Sequence, residues 1–259
     1  MPRKSLSSYA RAHRHFYADA LQPLLFETVA KNPGGVIADL GAGDGATLWA
    51  LEQRGLLGEL AYAVDLSRER AARAERASPR IRGVVADAAH VDALRDGSVD
   101  GVIVSQVIEH LEDDRALATE IARLLRPGGW WYVGTVLRGP RAWWIYHVDG
   151  KWQLDPTHLR EYESEGNLLS VLENHELHVD RVRTMPLSYP VLDLALRSAA
   201  AVRVLPYDSL SEAYVRRPLL SSARRLRLRV PGYRLLEVSG RRVTEATNFP
   251  SAEPQESPG

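Results

Sequence analysis

Short apolar runs alternate with amphipathic stretches between Val36 and Val136, and this alternation constrains the fold more than any other feature of the sequence. Five runs have the length and composition of strands: VIADL (36–40), LAYAVDL (60–66), IRGVVAD (81–87), VDGVIVS (99–105) and WWYVGTV (130–136). Helical stretches fall between them, near residues 45–55, 67–77 and 112–125. Strands that alternate with helices form βαβ units, so the sequence predicts an α/β fold with a largely parallel sheet.

Local signals set the ends of two of these helices. Ser67 is a good N-cap for the second, whose Arg70, Arg73 and Arg76 we expect on an exposed face. The third ends at RPGG (126–129), because proline and glycine cannot continue a helix and turn the chain into the next strand.

The rest of the chain flanks this core or is inserted into it. Residues 1–34 form a predicted helical flank or lid, with helix between 9 and 31, and the core spans residues 35–188. Later elements are a helix near 164–174 and strands near 177–187 and 233–240. The interval between those strands is too long for a hairpin turn, which predicts a helical, Arg-rich insertion for substrate recognition. The remaining predicted segments are the insertion (189–230), a last core strand (231–242) and a disordered tail (243–259).

Composition excludes several classes of protein. A chain of 259 residues with 45% hydrophobic residues can bury one sizeable core. It contains no apolar run near the roughly 18 to 20 residues that span a bilayer, and its start lacks a secretory signal, so we expect a cytoplasmic protein without a membrane partner. The absence of cysteine excludes disulfides and thiolate chemistry.

The formal net charge of zero conceals an uneven distribution of charge. Residues 181–259 carry 13 arginines against 7 acids, and all of these arginines lie between Arg181 and Arg242. This excess favours a basic surface in the insertion. An Arg-rich composition throughout the chain explains it equally well, since only three lysines occur in the whole sequence.

The glycine-rich sequence DLGAGDG (39–45) follows the first predicted strand and precedes a helix. Glycines at Gly41, Gly43 and Gly45 let the backbone turn tightly and approach a ligand where a side chain would collide. The stretch also satisfies the looser dinucleotide pattern through Gly41, Gly43 and Ala46. The loop therefore predicts a nucleotide-like ligand without identifying it.

Three acids narrow the choice of ligand. Asp39 ends the first strand, Asp65 the second and Asp87 the third, and the carboxyl ends of parallel strands line the ligand crevice. A carboxylate at the second position matches the two hydroxyls of a ribose. Asp87 is placed for an adenine amine, and Asp39 or its glycine neighbours for the amino acid end of a cofactor.

These residues together resemble class I S-adenosylmethionine-dependent methyltransferases, especially those with a methyltransferase type 11 core. The resemblance covers about residues 35–185, through DLGAGDG, Asp65, VVADAAHV, DGVIVSQVIEHLEDD and LLRPGGWWYVGTV. It implies a Rossmann-like, doubly wound, seven-stranded and mostly parallel sheet with an antiparallel last strand, and S-adenosyl-L-methionine as the cofactor. The cofactor-binding residues that it implies are Asp39, Gly41, Ala42, Gly43, Asp65, Leu66, Asp87, Ala88, Ser105 and Gln106.

Methyl transfer needs an aligned acceptor lone pair, and much of the catalysis can come from positioning. Where the acceptor must lose a proton, Glu109, His110 and His158 are the candidate catalytic residues. The other histidines show no metal-ligand spacing, so we expect no metal. His13, His15 and Tyr17 in the first predicted helix could close over the cofactor, although an exposed face of that helix also explains them. Tryptophans in the loop after the fifth strand could stack on a planar acceptor; these are Trp143, Trp144 and Trp152.

The sequence leaves two classes of methyl acceptor possible. The Arg-rich region favours a base in structured RNA, such as rRNA, whereas the family resemblance favours a small, possibly aromatic molecule. An NAD-dependent oxidoreductase and a non-catalytic S-adenosylmethionine-binding module are the alternatives to a methyltransferase. The oligomeric state is left open.

Overall fold

The structure is a computed structural model that describes residues 15–18, 20–143, 146–148, 150–155, 157–173, 175–202, 204, 212–216 and 218–243. Its helices are α1 (Pro23–Lys31), α2 (Ala46–Gln53), α3 (Arg68–Glu75), α4 (Asp114–Leu124), α5 (Glu165–Leu172), α6 (Val191–Ala201), α7 (Ala213–Arg216) and α8 (Pro218–Ala223). Its strands are β1 (Val36–Leu40), β2 (Leu60–Asp65), β3 (Ile81–Val85), β4 (Val99–Ser105), β5 (Leu125–Arg138), β6 (Tyr146–Val148), β7 (Lys151–Gln153), β8 (Leu177–Pro190) and β9 (Arg227–Arg242).

Seven of these strands form one twisted sheet, in the order β3-β2-β1-β4-β5-β9-β8. Strands β1 to β5 pair in parallel, and β9 lies antiparallel between β5 and β8. The predicted Rossmann-like sheet with an antiparallel last strand is confirmed. The strand order reverses between β1 and β4, which is where open α/β sheets bind ligands, beyond the carboxyl ends of the strands.

Helices cover both faces of the sheet. One buried cluster joins the sheet to α1, α2 and α3 through Leu24, Leu51 and Ala74, and a second joins it to α4 and α5 through Ile121 and Leu172. Because both faces are covered, the central strands are apolar along almost their whole length, as in VIVS of β4. Their polar residues are therefore concentrated at the strand ends.

Strand boundaries differ from the sequence prediction mainly around glycine and proline. Strand β3 ends at Val85, so Asp87 lies in the turn beyond it. Strand β5 begins earlier than predicted, at Leu125, but its register against β4 shifts between Val99 and Gly101. RPGG (126–129) accordingly forms a bulge, with Gly128 at φ +75°, which is where we expected a turn.

The flanking segments carry less helix than predicted. Of residues 9–31, only α1 is helical in the described part, and residues 9–14 lie outside it. The insertion contains α6, α7 and α8, and it packs back on the N-terminal segment through Phe16, Ala18, Ala200 and Tyr214. The predicted tail, apart from its first residue, lies outside the described residues. Within the described chain, no helix has the length and apolar character needed to cross a bilayer.

A remote carboxylate caps helix α1. Gln22 occupies the N-cap position without a side-chain hydrogen bond, and Pro23 fills the first turn. The backbone N–H of Leu24 instead donates to Oε1 of the buried Glu237 on β9 at 3.0 Å. Tyr132 Oη donates to the same oxygen at 3.1 Å. A carboxylate at a helix N-terminus satisfies an orphan donor and the helix dipole, so Glu237 fastens α1 to the sheet.

We expect Glu237→Ala to lower the free energy of unfolding by about 2 kcal/mol, because it leaves two buried donors without an acceptor. Urea denaturation at pH 7 measures the loss. Glu237→Gln keeps an acceptor oxygen and should lose less. An alanine variant as stable as the wild type would show that this cap does not hold α1.

Candidate active site

The glycine loop bends sharply at the carboxyl end of β1. The backbone N–H groups of Gly41 and Ala42 both donate to the carbonyl oxygen of Val64 on β2, at 2.8 and 2.9 Å. Gly45 adopts φ +78°, and a Cβ there would lie 2.7 Å from the Cβ of Ala74 on α3. The glycines thus allow the loop to pack closely against α3; the predicted approach of a ligand to the loop stays a prediction.

Asp65 stands at the end of β2 and organises this loop. Its Oδ2 accepts a hydrogen bond from the N–H of Gly43 at 3.0 Å, and its Oδ1 accepts one from the N–H of Ser67 at 2.8 Å. Each oxygen retains a further lone pair for a ligand. Burial raises the pKa of Asp65, although these N–H donors and Arg70 oppose the rise.

Two neighbouring polar side chains end in buried atoms that no protein group satisfies. Asp39 is 2% exposed, and its Oδ2 has no hydrogen-bond partner among the residues that the structure describes. Burial, together with the negative charge of Asp65, raises the pKa of Asp39 to about 7. Gln106 Nε2 is also buried and has no partner in the described part of the chain, and Gln106 adopts φ +57°, which is uncommon for a non-glycine residue. Buried polar atoms without a partner and strained backbone are both typical of a ligand site.

The other sequence-predicted cofactor residues lie along the same edge. Ser105 ends β4 and is partly exposed, and Ala88 is buried. Leu66 is 52% exposed. Asp87 is exposed, and its Oδ1 accepts a hydrogen bond from the N–H of Ala89 at 2.9 Å, so it caps its own turn while its second oxygen remains available.

Asp44 is a buried acid of the glycine loop that the sequence analysis did not single out. Its buried carboxylate accepts two hydrogen bonds from Arg73, at 2.9 and 2.7 Å, and one from the N–H of His15 at 3.0 Å. Tyr17 Oη donates to the Asp44 carbonyl at 2.8 Å. The expected exposed arginine face is therefore wrong for Arg70 and Arg73, whose side chains are each only 12% exposed. An acidic residue in a loop does not show, from the sequence alone, that an arginine on a neighbouring helix will be buried against it.

The N-terminal segment reaches the glycine loop through these contacts. A Cβ on Gly43 would overlap the His15 ring, so the imidazole lies directly against the loop. Burial and the charge of Arg70 lower the pKa of His15 to about 4, which keeps the ring neutral. This arrangement places His15 where the predicted lid would cover a cofactor; His13 lies outside the described residues.

The three candidate catalytic residues form one cluster beside the end of β4. Glu109 is fully buried, and its Oε2 accepts a hydrogen bond from Thr135 at 2.9 Å. The rings of His110 and His158 meet edge to face, with centroids 4.8 Å apart. The Glu109 carbonyl also accepts hydrogen bonds from the N–H groups of Leu159 and Arg160, which holds the His158 loop in place. One ligand atom from each cluster residue lies within 4.8 Å of the others.

His158 is supported from behind by Glu161. His158 Nδ1 lies 2.9 Å from Glu161 Oε1, and both side chains are about 95% buried. Burial alone would lower the pKa of His158, but the hydrogen bond to Glu161 and the nearby Glu109 charge raise it. This carboxylate–imidazole pair can therefore accept a proton or a ligand at the second ring nitrogen.

The aromatic side chains of β5 are buried, whereas those that the structure describes in the following loop are exposed. Trp130, Trp131 and Tyr132 on β5 are buried in the core. Trp143 and Trp152 are 58% and 43% exposed, and Trp144 lies outside the described residues. Their role in a pocket stays a prediction.

The chain is similar in sequence and in fold to known methyltransferases. A family profile described as "Methyltransferase domain" matches residues 38–133. The chain is 29% identical over 178 residues to a ubiquinone biosynthesis O-methyltransferase of Xanthomonas oryzae pv. oryzae (strain PXO99A), an alignment that covers 64% of this chain and 73% of the relative. A protein of the same name from Leptothrix cholodnii (strain ATCC 51168 / LMG 8142 / SP-6) is 28% identical over 142 residues, covering 52% and 60% of the two chains.

Solved structures share the fold. Geranyl diphosphate C-methyltransferase from Streptomyces coelicolor A3(2), in complex with Mg²⁺, geranyl diphosphate and S-adenosyl-L-homocysteine, superposes with a TM-score of 0.60 at 15% identity, over 94% of this chain and 98% of that one. A methyltransferase from Mesorhizobium loti gives 0.54 at 24% identity, over 85% and 96%. These structural matches show the fold that the chain shares. The matching methyltransferase-domain profile and the sequence relatives, together with the glycine loop, identify the chain as an S-adenosylmethionine-dependent methyltransferase.

Proposed function

We propose that this methyltransferase methylates a hydroxyl oxygen of a small-molecule acceptor. One observation carries the proposal: two groups of residues lie at the same carboxyl edge of the sheet. The first is Asp39 and Gln106, with their unsatisfied buried atoms, and the second is the cluster of Glu109, His110 and His158. The first group suits a polar cofactor, and the second suits an acceptor that must lose a proton.

The cofactor would lie along this edge, in the order of the strands. In this proposal the carboxylate of Asp65 accepts hydrogen bonds from both ribose hydroxyls. Asp87 meets the adenine amine, with Leu66 and Ala88 beside the ring. Asp39 and the N–H groups of the glycine loop meet the amino acid end, where a positive ammonium would compensate the buried carboxylate.

The cofactor, when bound, supplies the methyl group on a positively charged sulfur. The protein then has to align the acceptor oxygen with that methyl group and exclude water. The cluster of Glu109, His110 and His158 would receive the hydroxyl and help it to lose its proton, because its imidazoles and carboxylate face one another in a buried site. A hydroxyl is a poor nucleophile until that proton leaves, so this cluster would contribute directly to the rate.

The insertion supports a small acceptor more than RNA. Two arginines of the insertion, Arg216 and Arg224, pair with acids of this chain. Four arginines of the adjoining strands do the same; they are Arg181, Arg183, Arg241 and Arg242. Arginines neutralised within the fold release few counterions on binding phosphates. The insertion also packs on the N-terminal segment through Phe16 and Tyr214, whose rings are 5.4 Å apart, which favours an enclosed site over an open groove.

Hydroxyl methylation is the chemistry in the names of the ubiquinone biosynthesis O-methyltransferases that resemble this chain. What the similarity supports for this chain is the class of acceptor, a small molecule with a hydroxyl group.

Labelled methyl donor distinguishes the two acceptor classes. We expect that incubation with a small-metabolite extract transfers label to low-mass products, with little dependence on salt. Total RNA, incubated in parallel, should stay unlabelled. Ribonuclease-sensitive label that falls steeply between about 50 and 200 mM salt would contradict the proposal and favour RNA.

A further inference from the structure

We propose that Glu109, His110 and His158 bind one divalent transition-metal ion, such as Zn²⁺, through two imidazole nitrogens and one carboxylate oxygen. This inference replaces the sequence-based expectation of no metal. It rests on the proposed function only in placing the acceptor hydroxyl beside the ion.

The spacing of the cluster is close to that of a metal site. One ligand atom from each of the three residues lies within 4.8 Å of the others. Ligands about 2.1 Å from a tetrahedral zinc ion lie roughly 3.4 Å apart, so side-chain shifts of about an ångström close the site. The terminal torsion of Glu109 is soft enough to supply part of that movement.

Hydrogen bonding fixes the tautomer of His110. Its Nδ1 lies 3.2 Å from the carbonyl oxygen of Thr157 and 3.1 Å from Thr157 Oγ1. That hydroxyl donates its own hydrogen to Asp155 Oδ1 at 2.5 Å, so it can only accept from the ring. Both contacts therefore require hydrogen on Nδ1, and the lone pair of His110 is left on Nε2.

His158 is fixed in the same tautomer by a carboxylate. Glu161 Oε1 accepts from His158 Nδ1 and from the N–H of Leu154, while Oε2 accepts from Tyr233 Oη at 3.1 Å. A carboxylate or carbonyl behind each imidazole is the usual support for histidines that bind metals.

The third ligand is available because it is unsatisfied. Glu109 has no exposed surface, and none of the described residues forms a hydrogen bond with its Oε1. A buried carboxylate oxygen without a donor is costly, and a cation between it and the two histidines would remove that cost. Three protein ligands leave a position open for the acceptor hydroxyl, whose proton would then pass to water more readily because the cation stabilises the oxyanion.

Metal binding can be measured without acceptor or cofactor. Full-length protein is dialysed against a chelator and then titrated with Co²⁺ by visible absorption and with Zn²⁺ by calorimetry. We expect one saturable site and visible bands of cobalt in a low-symmetry nitrogen and oxygen environment. Glu161→Gln, which leaves all three ligands in place, should weaken binding about 10- to 100-fold.

Matched variants locate the ion. His110→Asn and His158→Asn should each remove the cobalt bands, whereas His178→Asn, at a side chain that is 63% exposed, should keep them. Thermal unfolding without metal, together with S-adenosylmethionine binding, verifies that each variant is folded. No saturable binding to the wild type, or equal binding to folded His158→Asn, would overturn the inference. Methyl transfer to small molecules is assayed on the same samples, so the proposed function succeeds or fails separately.

Discussion

Replacing Asp65 with alanine is expected to weaken S-adenosylmethionine binding about 1000-fold. The proposed contact has one carboxylate accepting from two ribose hydroxyls, and each hydrogen bond to a charged group contributes about 1.5 to 3 kcal/mol. The same carboxylate holds the N–H groups of Gly43 and Ser67, so the variant also loosens the loop that cradles the cofactor. Calorimetric titration of the purified variant measures the loss.

Two further variants separate this contact from a general loss of structure. Asp65→Asn retains one acceptor oxygen without the charge and should show an intermediate affinity. Asp92→Ala removes an acid whose side chain is 85% exposed, and it should bind as the wild type does. If Asp65→Ala stays folded and keeps its affinity within about threefold, a difference of under 1 kcal/mol, the proposed ribose contact is wrong.

Asp39→Asn is expected to weaken cofactor binding about 100-fold at pH 8, which corresponds to about 2.7 kcal/mol for a lost buried charge contact. The pKa of about 7 that burial and Asp65 impose on Asp39 adds a pH dependence. Below pH 7 the free protein holds a proton that the positively charged end of the cofactor must displace. Wild-type affinity should therefore fall up to about tenfold per pH unit below 7, and the variant should show a flatter profile.

The same substitution should stabilise the free protein. The folded-state pKa of Asp39 lies above its ordinary value of 3.8, so between about pH 4 and 7 the folded chain holds a proton that the unfolded chain has lost. The stability that this protonation contributes is present at low pH and lost as the pH rises through 7. Asp39→Asn should thus unfold at a higher temperature than the wild type at pH 8, with a gap that narrows towards pH 5. A variant less stable than the wild type at pH 8 would contradict this account.

The order of the core elements could be predicted from the sequence because each central strand is a compact apolar run with a clear boundary. Strands β1 and β4 have the predicted bounds, and the predicted antiparallel strand near 233–240 belongs to β9. Prediction was weaker where tertiary contacts decide the conformation. Residues 15–18 fall inside the stretch predicted as helix, but they have no regular secondary structure and instead contact Asp44 and Tyr214.

Individual residues of the candidate site could be predicted from the sequence, but their arrangement in space could not. Strand ends identified Asp39 and Asp65, because a parallel sheet brings its carboxyl ends together whatever the intervening sequence. The cluster of Glu109, His110 and His158 could not be predicted in this way, because nothing in the spacing of Glu109 and His158 shows that the loop after β5 returns to the end of β4. Spacing along the chain therefore predicted no metal ligands, although the fold brings three potential ligands together.

A crystal structure with S-adenosyl-L-homocysteine tests the central claim most directly. That claim is that the carboxyl edge of β1, β2 and β4 holds the cofactor through groups left unsatisfied by the protein itself. The account predicts both ribose hydroxyls within hydrogen-bonding distance of the Asp65 carboxylate and the amino acid end beside Asp39. A cofactor bound elsewhere, or bound here with its ribose away from Asp65, would contradict it.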